Sequence, residues 1–183
     1  AWIHMPHEIV NQTIQQLRLA QFNKVRMCVF PKHYALCREL PEMYPFVSSG
    51  TANPNPNAKK SGMTFDYERF NPAFFHHLEN MIDSLASFGC EADLILFHPY
   101  DKGYWGFDSM PMEVNLRYLQ YLQARLSSFH NVWWSLANEY DLVKQKSEDE
   151  WCQLIAAVKK NDPYRHLVSI HGSTATYFPY ERE

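Results

Sequence analysis

One short segment of the sequence combines the side chains best suited to acid and base chemistry. Residues 133–139 read WWSLANE, an apolar run that ends on an amide and a carboxyl. Apolar surroundings favour the protonated form of a carboxyl, which a general acid needs at neutral pH, and a neighbouring amide can hydrogen-bond a ligand hydroxyl. We therefore predict that Glu139 exchanges a proton with the substrate and that Asn138 binds a hydroxyl group. The alternatives are an exposed loop carboxylate and an asparagine that only forms a turn.

Three further apolar runs also end in polar or aromatic side chains. They cover residues 24–31, 92–99 and 166–171 and, like residues 131–137, are typical of strands buried on both faces of a parallel sheet. The residues at or just after their carboxyl ends are His33, His98, Tyr100, Asp101, Trp105 and His171. Ligands bind at the carboxyl ends of strands in such sheets and barrels. We therefore predict that these six side chains line one cleft and contact its ligand; for the aromatic residues, packing within the loops is an equal alternative.

Amphipathic helices separate the four predicted strands and define the fold class. The helical patterns cover residues 8–20, 71–89, 113–128 and 147–162. An Asn71-Pro72 start and a capping box beginning at Ser147 mark two of their first turns. The order of a helix, three strand–helix units and a last strand predicts one α/β domain over residues 1–183. Residues 41–62, rich in Pro, Asn, Ser and Gly, are predicted to be a loop insertion, either a functional lid or a mobile segment.

Composition excludes several classes of protein. The 183 residues are 46% hydrophobic, which is enough for a sizeable core, and the net charge of −3 without a basic run argues against a nucleic-acid partner. No apolar run approaches the roughly 18–20 residues that cross a membrane. The four cysteines lack metal-type spacing and are interpreted as reduced thiols, which favours a cytoplasmic over a secreted location. His98 and Asp101 lack a third ligand at clear spacing, so no metal and no cofactor are predicted.

Three segments together resemble one enzyme family. Arg26 inside the first predicted strand, LFHPYD at residues 96–101 and NEYD at residues 138–141 are similar to the apiosidase-like, cellulase-related members of the large glycosidase clan with (β/α)₈ barrels. The resemblance implies that the chain is a partial TIM barrel, from the end of strand 1 at residues 1–4 to about strand 5 at His171. It also implies that Asn-Glu ends strand 4 with Glu139 as the acid/base, and that Arg26 holds the nucleophile carboxylate from below. A structural ion pair is the alternative for Arg26, because an unpaired charge within an apolar strand is costly.

The sequence departs from the family pattern in one respect. The family has a second glutamate at the end of strand 7, and this sequence ends at Glu183, before strands 6 to 8. The resemblance therefore implies a retaining glycosidase that cleaves O-glycosidic bonds of oligo- or polysaccharides by double displacement, with its nucleophile outside this chain and the fragment alone inactive. We expect open sheet edges and an apolar interior face, covered by the rest of the barrel or by self-association.

Two other functional classes were weighed against a glycosidase. A metal-dependent hydrolase would need His-x-His near the first strand, and Ile3-His4-Met5 does not supply it. A non-catalytic carbohydrate-binding half-barrel is the second alternative. A downstream strand ending in glutamate in the encoding gene would favour the enzyme over this binding module.

Overall fold

The computed structural model describes residues 2–34, 39–53, 55 and 57–173. In chain order the helices and strands are α1 (His7–Leu19), β1 (Lys24–Cys28), β2 (Phe46–Ser49), β3 (Thr64–Phe70), α2 (Pro72–Ala86), β4 (Glu91–Phe97), α3 (Met112–Leu126), β5 (Val132–Asn138), α4 (Glu148–Asn161) and β6 (Val168–His171). Short 3₁₀ turns occupy Phe107–Ser109 and Tyr140–Leu142. Ala1, Cys37 and Glu183, which the sequence analysis considered, lie outside the described residues.

Four strands form one parallel sheet in the order β1-β4-β5-β6. Met27 lies beside Leu94, Leu94 beside Trp134, and Trp134 beside Val168. A helix directly precedes each of β4, β5 and β6, so each parallel pair is joined by a connection that contains a helix. The parallel sheet predicted from the four apolar runs is confirmed. Residues 1–4 were expected to end a further strand, and the described part of that segment, residues 2–4, contains a turn instead.

The helix boundaries follow the predicted capping residues. The Asn71 side chain accepts a hydrogen bond from the backbone N–H of Ala73 (3.1 Å), and Pro72 occupies the first turn of α2. Ser147 and Glu150 form the reciprocal bonds of a capping box at α4. Both helices present an apolar stripe to the sheet. The buried members of the α2 stripe are Phe74, Phe75, Leu78, Ile82 and Leu85.

The two faces of the parallel sheet differ in chemistry. On the helix-covered face, Trp134 is fully buried and its indole N–H donates to Asp162 (2.9 Å), the C-cap of α4. The opposite face carries a polar network of Lys24, Arg26, Asp93, Ser135 and Ser169 side chains, which contact one another. Our expectation of an apolar interior face is wrong at these positions, because the strands alternate and place charged and hydroxyl groups on that side.

The predicted loop insertion contains a strand that is anchored in the core. β2 pairs antiparallel with β3, and Phe46 at its start is completely buried against Phe70 and Tyr67, with ring centroids 5.1 and 5.2 Å apart. Glu68 of β3 forms a two-point ion pair with Arg117 of α3 (2.7 and 2.8 Å). Residues 41–62 are therefore not uniformly irregular, because they contain β2, and its partner β3 packs on α2 and α3 through Phe70.

In the described part of the chain, no helix is both long enough and apolar enough to cross a membrane.

Candidate active site

Arg26 is the centre of a network that joins three strands. Its Nε lies 3.0 Å from Oδ2 of Asp93, which is its direct neighbour in the β1–β4 register. Its two Nη atoms donate to Ser135 Oγ (2.8 Å) and to Asn138 Oδ1 (3.1 Å). Asp93 is 3% exposed and also pairs with Lys24 at 3.4 Å. The structural ion pair considered for Arg26 is present, and it leaves two guanidinium N–H groups that take no part in these contacts.

The contacts of Asn138 determine which way its amide faces. A guanidinium only donates, so Oδ1 of Asn138 must face Arg26. Nδ2 then faces the hydroxyl of Tyr100 and donates to it. One amide hydrogen of Asn138 remains, and it can donate to an acceptor on a ligand.

Glu139 follows β5 directly and has an uncommon backbone conformation. Its φ of 53° and ψ of 51° are left-handed, which costs a non-glycine residue of order 1–3 kcal/mol and persists only where the surroundings impose it. Its carbonyl accepts from Leu142 N–H (3.0 Å), and the next residue, Tyr140, is buried with its ring against Trp151. The side chain of Glu139 is half-buried. The turn therefore holds a carboxyl, partly accessible to solvent, at the carboxyl edge of the sheet.

The residue after Tyr140 is also held in place. Asp141 accepts from the backbone N–H of Ser173 (2.7 Å) and from its hydroxyl. These bonds lower the pKa of Asp141. The segment that carries Glu139 is thus hydrogen-bonded, through Asp141, to Ser173 in the chain that follows β6.

Tyr100, after β4, contacts the neutral side chain of His98. Its backbone N–H donates to Nδ1 of His98 (3.1 Å), so the ring hydrogen of His98 lies on Nε2 and is donated to Phe30 O (3.0 Å). Burial lowers the pKa of His98 to about 4. The Tyr100 ring lies 5.3 Å from the His98 ring at an interplanar angle of 18°. Burial first, and the Glu139 carboxylate second, raise the pKa of Tyr100.

His98, Asp101 and Trp105 are buried. Each is at most 5% exposed, and their polar groups are taken by protein partners. Asp101 accepts from Trp105 N–H (3.1 Å), and burial raises the pKa of Asp101 to about 6. Trp105 directs its indole N–H toward Lys32 O at 3.5 Å. All three are buried in this chain, and their contact with the ligand stays a prediction.

The two remaining predicted residues, His33 and His171, differ in exposure and position. His33 is half-buried, with its ring stacked on Tyr104 at 3.5 Å. His171 is exposed at the end of β6, opposite Asn138 in the register. His171 therefore shares the edge that carries Asn138, whereas the imidazole of His33 packs within the loops.

The sequence analysis missed several residues of the site. Asp93 and Ser135 hold Arg26, and Asp93 could have been identified as the second charged residue within an apolar run. A cleft of about 260 Å³ adjoins Arg26 and is walled in part by residues that follow β1 or precede α1. These wall residues include Trp2, His4, Lys32 and Tyr34. Across the described ranges, no three His, Cys, Asp or Glu side chains cluster as metal ligands would.

The parallel sheet with its helical crossovers is part of a (β/α)₈ barrel, the fold of solved glycoside hydrolase structures. The chain belongs to the family described as Apiosidase-like, catalytic domain, whose model matches residues 6–183. The predicted family and the predicted partial-barrel fold are confirmed. No curated protein matches the chain.

Solved structures of glycoside hydrolases share the fold of this chain. The chain is 56% identical to a presumed glycoside hydrolase from Bacteroides vulgatus, with a TM-score of 0.90, covering 98% of this chain and 35% of that one. A family 5 glycoside hydrolase from the same organism is 18% identical, with a TM-score of 0.63 and coverages of 98% and 35%. A family 5 enzyme from Bifidobacterium longum, solved with Manβ1-4GlcNAc, is 11% identical, with a TM-score of 0.58 and coverages of 93% and 40%. The chain thus spans about a third of the length of the first two.

Proposed function

We propose that this chain supplies the acid/base half of the active site of a retaining glycoside hydrolase. The observation that carries the proposal is the pairing of Glu139 with Asn138, whose amide is oriented by Arg26, at the carboxyl edge of the parallel sheet. Family membership supports a glycosidase, and the position of the carboxyl supports the role of Glu139.

In the proposed first step, Glu139 protonates the leaving oxygen of the glycosidic bond while a second carboxylate attacks the anomeric carbon. In the second step, Glu139 takes a proton from water, which then hydrolyses the glycosyl–enzyme. The two carboxyls must lie about 5–5.5 Å apart. The nucleophile lies outside this chain. Two guanidinium N–H groups of Arg26 take no part in the contacts with Asp93, Ser135 and Asn138, and they are suited to holding that nucleophile.

Asn138 is proposed to contact the sugar through its remaining amide hydrogen. The bound hydroxyl accepts this hydrogen and keeps its own hydrogen for donation to another group. Tyr100 and His171 border the same edge, and an oligo- or polysaccharide is the proposed ligand.

The test is Glu139→Gln in the full-length protein, compared with Glu148→Gln on the exposed start of α4 as a control. Glycosides with poor leaving groups should lose activity by about 10²–10⁴-fold, because they require protonation, and activated aryl glycosides far less. Azide should rescue Glu139→Ala and yield an azido-sugar of retained configuration.

Equal loss on both kinds of substrate would assign Glu139 a structural role. Inverted product would contradict the retaining mechanism. Oligosaccharide binding without any turnover in the full-length protein would instead support a non-catalytic binding module.

A further inference from the structure

We propose that Tyr100 is a positioning residue for the acid/base carboxyl: its hydroxyl accepts from Asn138 and donates to Glu139. This inference rests on the proposed function of Glu139. It replaces our sequence-based interpretation, in which Tyr100 was a sugar-binding residue.

The first support is the direction of the hydrogen bonds. Asp93 only accepts, Arg26 only donates, and Asn138 accepts from Arg26 and donates to Tyr100. A phenol that accepts from an amide retains its own hydrogen for donation. Donor and acceptor are therefore fixed in every hydrogen bond from Asp93 to Tyr100. The Tyr100 hydroxyl must donate to a group other than Asp93, Arg26 and Asn138.

The second support is the charge beside the phenol. Glu139 adjoins Asn138 in sequence, and its carboxylate is the leading charged group that raises the pKa of Tyr100. A carboxylate has this effect when it lies close enough to stabilise the neutral phenol, the form that donates. A side-chain hydrogen bond between Tyr100 and Glu139 acts in the same direction, so Glu139 is the acceptor for the Tyr100 hydrogen.

The third support is the fixed position of the ring. Tyr100 is anchored through its N–H to His98 and through its carbonyl, which accepts from His33 N–H (3.2 Å). His98 lies against one side of the phenol ring, and the Lys32 ammonium lies 5.5 Å from the ring centroid. A side chain held at backbone and ring is suited to orienting a partner, because little freedom remains to be lost on binding.

The test is Tyr100→Phe in the full-length enzyme, because this change removes the hydroxyl and keeps the aromatic face. We expect kcat to fall about tenfold while KM stays within about twofold, since the lost bond stabilises the ionised carboxyl rather than the bound sugar. The alkaline limb of the kcat/KM profile should move up by about one pH unit, because the carboxylate loses a donor. Tyr164→Phe, at an exposed tyrosine between α4 and β6, is the control and should change none of these.

A second substitution keeps the test independent of folding. Incorporating 3-fluorotyrosine at position 100 makes the phenol a stronger donor and should move the alkaline limb in the opposite direction, to lower pH. Unchanged pH limbs in both variants, with a raised KM in Tyr100→Ala, would overturn the proposal and restore a sugar-binding role.

The double variant separates this inference from the proposed function. If both hold, Tyr100→Phe adds little further loss to Glu139→Gln, because the acceptor carboxylate is already gone. If Glu139→Gln abolishes activity on poor leaving groups but Tyr100→Phe is silent, only the role of Tyr100 fails. If Glu139→Gln itself leaves that activity intact, the proposed function fails.

Discussion

Replacing Glu139 with glycine should stabilise the protein relative to alanine at the same site, although both changes remove the proposed catalytic group. Glu139 has a φ of 53°, and the left-handed conformation costs an L-residue roughly 1–2 kcal/mol that glycine does not incur. Glycine loses about 0.5–1 kcal/mol more conformational freedom than alanine on folding. The net expectation is that Glu139→Gly is about 0.5–1 kcal/mol more stable than Glu139→Ala.

Thermal and urea unfolding of the full-length protein provide the assay. For a domain of roughly 150–250 residues this difference corresponds to a rise of about 1–4 °C in Tm. Lys102, exposed with a φ of 50°, is a matched left-handed site, and its glycine variant should also exceed its alanine variant. Exposed Gln120 within α3 should show the opposite order by about 1 kcal/mol. The reasoning would be refuted if Lys102 and Gln120 behaved as expected while Glu139→Gly melted below Glu139→Ala.

Two further predictions concern stability. Burial alone would raise the pKa of Asp162, but hydrogen bonds from Trp134 and His166 outweigh burial and lower that pKa. The Asp162 carboxylate therefore stabilises the folded protein above about pH 4. This stabilisation is lost as the pH falls through the lowered pKa of the folded state. Asp162→Asn should therefore cost about 2–3 kcal/mol in urea unfolding near pH 7 and progressively less as the pH falls below about 4. A cost that does not change with pH would contradict this. Phe46→Ala should lower the free energy of unfolding by about 3–5 kcal/mol because the ring is fully buried. Val47→Ala, on the half-exposed side of β2, should lower it by less than about 1 kcal/mol. Similar losses in the two variants would show that β2 and β3 are not anchored through Phe46.

The features that the sequence determined are local ones. Four apolar runs and the helices between them specified a parallel α/β sheet, since alternation and hydrophobic period act within a few residues. Asn71 and Ser147 marked helix starts through bonds to residues two or three positions away. The same locality placed Asn138 and Glu139 at the end of a buried strand.

The arrangement around those residues depends on contacts between distant parts of the chain. Arg26 and Asn138 are 112 positions apart, and their contact follows from the register of β1, β4 and β5. Burial of His98 and Asp101 likewise depends on chain segments packed over them. Register and coverage are set by the packing of whole elements, and no residue pattern within one strand encodes which neighbour its side chains will meet.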